Sequence, residues 1–284
     1  MIGLGLIALA ILLLAALAYW ELVIAEGVHL GPRIVTFLYD ITAGRYNRIK
    51  QFTPGYEAWF LGEPLAQALS HVPGAIVLDV ATGTGRLPMT LLRQPGFRGH
   101  VIGLDSSRAM LTQAAHDANA QAMAERLTLV WQEVSHLPFD DDTFDGVTCL
   151  EALEFFPDTR RALQEIVRVL RPGGVLLVTN RVGSCARFLP GHTQSRPAFE
   201  AMLASLDMTN IQTQTWQVEY DLVCAIKPGP RTVRDIPQLE HVLRCPECGG
   251  PLERVNHSVI CNACGRISRV ASDGVIELMR GSRR

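Results

Sequence analysis

The stretch Val77-Leu78-Asp79-Val80-Ala81-Thr82-Gly83-Thr84-Gly85-Arg86-Leu87 constrains the fold more than any other part of the chain. Val77 to Val80 read as a buried strand, Gly83 and Gly85 as a sharp turn, and Arg86 onward as the start of a helix. Such a turn brings main-chain N–H groups and a helix N-terminus against a ligand. The spacing D-x-x-x-G-x-G differs from the G-x-G-x-x-G of a dinucleotide site. It sets a carboxylate at the strand end, which favours a cationic or hydroxyl-rich ligand and repels a pyrophosphate.

The pattern then alternates. Strands are expected at 76–80, 100–104, 127–131, 144–150 and 175–179, the last preceded by the break Pro172-Gly173-Gly174. Helices are expected at 57–69, 86–93, 108–124, 159–170 and 197–206. Such alternation implies an α/β fold, a parallel sheet with helices on both faces. Two late strands, 211–216 and 220–226, read as an antiparallel hairpin at one edge. A chain of 284 residues is long enough for one such domain with small appendages. The formal net charge of -2 gives no bulk attraction to nucleic acid.

In open α/β sheets, ligands sit beyond the carboxyl ends of the strands. Three acids fall at such ends. Asp79 closes the first strand. Asp105, in Gly103-Leu104-Asp105-Ser106-Ser107, lies at the spacing expected of a ribose-binding acid. Glu133 follows the third strand, where its side chain and the Val134 N–H are placed to meet an adenine. An acid after a strand usually caps the next helix. Three of them in register with the glycine turn point to S-adenosylmethionine rather than NAD. Tyr46, His136, Glu154 and His192 are the candidate catalytic bases, each also readable as structural.

The segment from Ile2 to Trp20 holds no charged residue. At about 1.5 Å per residue it spans roughly the 30 Å of a bilayer core. Ala16-Leu17-Ala18 resembles a signal-peptide cleavage site, but no Lys or Arg precedes the apolar run. Arg33, Arg45, Arg48 and Lys50 follow it. The expectation is a retained single-pass anchor at 1–25, N-terminus outside and catalytic part cytoplasmic. Residues 26–55 read either as an amphipathic helix on lipid or as a lid packed on the domain at 56–228.

After a linker at 229–242, residues 243–284 carry Cys245-Pro246-Glu247-Cys248-Gly249 and Cys261-Asn262-Ala263-Cys264-Gly265. Two C-x-x-C-G knuckles supply four thiolates for a closed, structural zinc site in a unit too small for its own core. Disulfides are the alternative. Cys149, Cys185 and Cys224 read as buried free thiols.

Residues 56–177 resemble the class I S-adenosylmethionine-dependent methyltransferases. The resemblance includes Leu137-Pro138-Phe139-Asp140-Asp141-Asp142-Thr143-Phe144-Asp145, Leu150-Glu151-Ala152-Leu153-Glu154-Phe155-Phe156-Pro157-Asp158 and Glu165-Ile166-Val167-Arg168-Val169-Leu170-Arg171-Pro172-Gly173-Gly174. The Val-Ala-Thr-Gly-Thr-Gly turn and Tyr39-Asp40…Tyr46-Asn47 are most similar to the ubiquinone/menaquinone-type enzymes of that group. The resemblance implies a Rossmann-like sheet of seven strands. It implies that Asp79, Ala81, Gly83 and Gly85 line the methionine part of the cofactor, Asp105 and Ser106 the ribose, Glu133 and Val134 the adenine, and Leu150 the sulfonium side. Glu154 stands where many relatives carry His or Asn.

The C-terminal unit resembles small zinc ribbons related to the activator subunit of tRNA and protein methyltransferases. An rRNA guanine methyltransferase family also joins a zinc knuckle to this fold. Arg254, Arg266, Arg269, Arg280, Arg283 and Arg284 would then be a basic surface, for anionic lipid or for nucleic acid. The leading expectation is a membrane-anchored methyltransferase of a lipophilic small molecule, a quinone precursor or a lipid. An RNA or protein methyltransferase and a non-catalytic cofactor-binding scaffold are the alternatives.

Overall fold

The computed structural model describes residues 2–231 and 242–279. Most of the expected linker, and Arg280, Arg283 and Arg284, lie outside the described residues.

Helix α1 (Ile2–Tyr19) runs on through a π-helical turn, Trp20–Ile24, so that Gly5–Ile24 forms one apolar rod with 6% of it buried. Its one charge, Glu21, folds back and accepts bonds from the His29 backbone N–H at 3.1 Å and the His29 ring at 3.0 Å. Helix α2 (Pro32–Lys50) starts with proline, whose missing N–H costs nothing in a first turn, and stops at Gln51, where φ is 49°. Helices α3 (Pro54–Glu57) and α4 (Glu63–Leu69) are joined by a second π-helical turn, Ala58–Gly62.

From there strand and helix alternate: β1 (Ile76–Val80), α5 (Arg86–Leu92), β2 (His100–Asp105), α6 (Arg108–Ala120), β3 (Leu127–Trp131), β4 (Phe144–Cys149), α7 (Thr159–Val169) and β5 (Leu170–Arg181). The short α8 (Gly183–Ala186) and α9 (Arg196–Ala204) precede the antiparallel hairpin of β6 (Thr209–Trp216) and β7 (Tyr220–Ile226). The strands order β6-β7-β5-β4-β1-β2-β3, parallel except for β6 and β7. This is the expected seven-stranded Rossmann-like sheet. Strand order reverses between β1 and β4, which places a ligand crevice at their carboxyl ends.

β1 is buried along its whole length, being central and covered on both faces. Ile76, Leu78 and Val80 alternate onto one face with Leu163 and Ile166 of α7, while Val77 joins Leu65, Leu87 and Leu111 on the other. Two details depart from expectation. Helix α6 ends at Ala120, four residues before the expected 124. Pro172-Gly173-Gly174 does not end a segment: β5 begins at Leu170, and the three residues form a bulge between the pairs Phe144–Leu170 and Gly146–Val175. Gly173, at φ 73°, makes that bulge without a Cβ clash.

The cysteine-bearing unit is built from β8 (Leu252–Val255), β9 (Ser258–Cys261), β10 (Ile267–Val270) and β11 (Ile276–Glu277). Strand β11 pairs in parallel with β3, Ile276 opposite Val130 and Glu277 opposite Trp131. The unit therefore prolongs the main sheet on its β3 edge, capping what would be an open ladder.

Candidate cofactor site and cysteine cluster

Asp79, next to last in β1, is nearly dry, 3% exposed. Its two oxygens accept hydroxyl hydrogen bonds from Thr82 and Thr148, each at 2.6 Å. The glycine turn follows, with Ala81 at φ 56°, Gly83 at 54° and Gly85 at 81°. A Cβ on Gly85 would sit 3.3 Å from the Ala114 Cβ, so the turn also sets how closely α5 approaches α6. Asp105 ends β2 and accepts the N–H of Gly83 and of Ser107, each at 2.7 Å. The second carboxylate thus braces the turn that the first one precedes. Burial pushes both acids up, to about 6 in each case. For Asp79 the nearby Asp105 adds to that rise.

Tyr46, Asp79, Ala81, Gly83 and Leu150 border one cavity of about 40 Å³, together with Phe52, Arg86 and Glu151. Tyr46 and Phe52 come from α2 and the residues after it, which lie over the turn as a lid. The lid is bonded on its inner side: Ser107 donates to Asp40 at 2.6 Å, Thr84 donates to Asn47 at 2.5 Å, and Thr36 meets Ser106 at 3.1 Å. Tyr39 donates to Glu26 at 2.7 Å, and its ring lies 5.8 Å from that of Tyr46. The Tyr39-Asp40…Tyr46-Asn47 pattern is therefore the inner face of the lid.

Not every expected site residue joins this group. Glu133 is exposed, whereas Val134 packs in the core. His136 is exposed and sits 3.3 Å from Glu165 of α7. Glu154 is buried, accepts the Tyr220 hydroxyl at 2.5 Å and stands 3.5 Å from Arg181. Burial raises its carboxyl above the usual range. The His192 ring nitrogen lies 2.9 Å from the Glu154 carbonyl oxygen. Tyr46 borders the cavity, and burial holds its phenol protonated well beyond the usual range.

One charge network at the cavity went unread in the sequence. Arg86, the first residue of α5, forms a two-pronged pair with Glu57 at 2.7 and 2.8 Å and donates to Glu151 at 2.5 Å. Lys50 of the lid reaches the other Glu151 oxygen at 2.9 Å. Phe52 covers the guanidinium, whose carbon is 4.1 Å from the ring centroid. A cation at a helix N-terminus opposes the helix dipole unless acids surround it. That was the available signal.

Sγ atoms of Cys245, Cys248, Cys261 and Cys264 all lie within 4.8 Å of one another. Two of the pairs are 3.7 and 3.4 Å apart. A tetrahedral zinc with bonds of about 2.3 Å holds its sulfurs roughly 3.8 Å apart, so the four residues fit that ion. Gly249 and Gly265, at φ 71° and 74°, close the two knuckles with bonds to Cys245 and Cys261. A Cβ on Gly250 would press to 3.0 Å from the Cys261 sulfur. Of the other cysteines, Cys149 is buried as expected, whereas Cys185 and Cys224 are only half-buried.

The sheet order, the glycine turn at its switch point and the carboxylates behind it define a class I S-adenosylmethionine-dependent methyltransferase domain. Residues 78–178 match the methyltransferase domain family. The chain is 38% identical over 141 residues to a demethylmenaquinone methyltransferase of Lactiplantibacillus plantarum, covering 49% of this chain and 59% of that protein. It is 40% identical over 148 residues to a 2-phytyl-1,4-naphtoquinone methyltransferase of Synechococcus elongatus, covering 51% and 62%. A ubiquinone/menaquinone biosynthesis C-methyltransferase of Roseobacter denitrificans is 39% identical over 116 residues, covering 41% and 46%. The chain thus spans about half to three-fifths of the length of these relatives. Among solved structures, the [4+2]-cyclase SpnF shares the fold with a TM-score of 0.55 and 17% identity, covering 70% of this chain and 96% of that one.

Proposed function

We propose that this protein transfers a methyl group from S-adenosylmethionine to a lipophilic acceptor, a quinone precursor or a lipid, at a membrane surface. The observation that carries this reading is continuity. An apolar rod long enough to cross a bilayer, Gly5–Ile24, leads within eight residues into the helix that covers the glycine turn. A substrate dissolved in the bilayer is thereby concentrated next to the site. The quinone-type relatives favour the same acceptor class. Arg33, Arg45, Arg48 and Lys50, following the rod, favour an outside N-terminus and a cytoplasmic domain.

In this reading Asp105 accepts the ribose hydroxyls, the turn at Gly83 lets the backbone approach the ligand closely, and Asp79 faces its methionine end. Ser106 lies beside the ribose, Leu150 beside the sulfonium, and Glu133 and Val134 at the adenine. The cofactor supplies an electrophilic methyl group for in-line displacement. The chain's own residues orient the acceptor and keep water out. A phenol as firmly protonated as Tyr46 suits positioning, while burial raises the Glu154 carboxyl, so that its carboxylate is a stronger proton acceptor than an exposed one. Cys245, Cys248, Cys261 and Cys264 would hold a structural zinc, a closed site with no open position for chemistry.

Two measurements test the reading. Incubation with methyl-labelled cofactor and separate lipid, RNA and protein fractions should place label in the lipid fraction. Label in RNA or protein alone would point instead to the cysteine unit as a recognition module. Label nowhere, with cofactor still bound, would leave a binding scaffold. Secondly, Asp105→Ala should weaken cofactor binding by about 1–3 kcal/mol through lost charge-assisted hydrogen bonds, read by calorimetry. Unchanged affinity removes Asp105 from the site.

A further inference from the structure

Helix α2 is inverted relative to an ordinary surface helix, which turns its apolar stripe inward. On its inner side Thr36, Asp40 and Asn47 bond to Ser106, Ser107 and Thr84, Tyr39 donates to Glu26, and Tyr46 borders the cavity. On its outer side Ile34, Phe37 and Ile41, three residues at successive-turn spacing, are 37%, 57% and 62% exposed. Leu30, just before the helix, is also exposed. One and two turns further along that stripe come Arg45 and Arg48, exposed as well. Leu22 and Val23, at the end of the apolar rod, are exposed too.

We propose that the outer face of α2 is a membrane-docking surface that lies in the interface of an anionic bilayer, so that one helix is both the lid of the cofactor site and its seat on lipid. Three observations select a bilayer as the occupant. The stripe follows closely in the chain after a rod of membrane-spanning length. Its apolar residues lie nearest the rod and its arginines farther away, matching acyl boundary first and anionic headgroups next. The polar contacts of the helix are already used on the other side, so tilting it inward to bury the stripe would break the bonds of Thr36, Asp40 and Asn47. A consequence follows for the chemistry: Tyr39 and Tyr46, on the inner side of the same helix, stand where an acceptor passes from bilayer to cavity.

The proposal rests on the reading of α1 as a membrane span, and the test separates the two. An environment-sensitive fluorescent amino acid is placed at position 37 or at position 13 of the full chain. Each protein is reconstituted in nanodiscs containing phosphatidylglycerol and nitroxide-labelled lipid. Emission from position 37 should shift to the blue and lose more than half its intensity to the quencher. Replacing phosphatidylglycerol with phosphatidylcholine should reduce that quenching at least twofold, and so should the pair Arg45→Gln with Arg48→Gln. Quenching at 13 without quenching at 37 overturns the seat of α2 and leaves the anchor standing. Quenching at neither position overturns both. S-adenosylhomocysteine binding by each labelled protein, within threefold of the unlabelled chain, shows that the lid remains folded.

Discussion

At the scale of single residues, the site is a set of buried charges held by unlike means. Asp79 and Asp105 are surrounded by hydroxyls and N–H groups, whereas Glu57 and Glu151 are neutralised by Arg86 and Lys50. Replacing Arg86 by Ala leaves the nearly dry Glu57 without its cation and Glu151 with Lys50 alone, which should cost about 3–5 kcal/mol of stability in denaturant unfolding. A loss under 1 kcal/mol would mean that water reaches Glu57 and Glu151. The two aspartates make a pH prediction. Their folded values of about 6 lie above the ordinary range, so the protonated form favours the ligand-free fold. Their contribution to folding is complete below the unfolded value of about 4 and is lost as pH rises through 6. A ligand that pairs with the carboxylates reverses the sense for binding. Calorimetric affinity for the cofactor should therefore fall as pH drops below about 6, and a flat profile from pH 5 to 8 would remove ionised Asp79 and Asp105 from recognition. The place of Asp105 beside the glycine turn was legible because it falls at a strand end at a fixed interval from the glycines. Arg86 was visible as a residue but not as a network, because its partners lie 29 and 65 positions away.

At the scale of elements, periodicity gave strands and helices close to their observed bounds, and the differences have local causes. The bulge at Pro172-Gly173-Gly174 keeps β5 running where turn residues alone suggest an end. The cysteine unit gave its four candidate ligands by spacing but not its place, since a two-residue strand such as β11 has no periodicity to read. That strand joins the unit to β3, and Arg108, next to the Ser107 cap of α6, pairs with Asp273 and Glu277 at 2.9 Å each. Trp131, opposite Glu277, donates its ring N–H to the Ser106 carbonyl at 2.8 Å. Metal removal should thus be felt at the cofactor site. Treatment with a zinc chelator, or Cys261→Ser, is expected to release one zinc per chain by elemental analysis. It should also weaken S-adenosylhomocysteine binding by about 1 kcal/mol or more through loss of this β-edge support. Zinc loss with unchanged affinity would show that the unit only caps the sheet.

At the scale of the whole molecule, three parts follow one another along the chain: an apolar rod, a lid, and a methyltransferase sheet extended by a cysteine unit. Sharing a fold with a [4+2]-cyclase shows that this architecture does not by itself fix a reaction. The sequence alone determined the alternating α/β order, the carboxylates at strand ends, the four-cysteine pattern and the apolar rod, because each is written in local spacing that sterics and burial read directly. The tertiary structure decided what local spacing cannot carry. It brought Arg86 to Glu57 and Glu151, left Glu133 and His136 exposed, turned the polar side of α2 onto the glycine turn, and set β11 beside β3. These are relations between residues distant in the chain. They are fixed only when loop closure and packing choose which polar groups must satisfy one another in the dry interior.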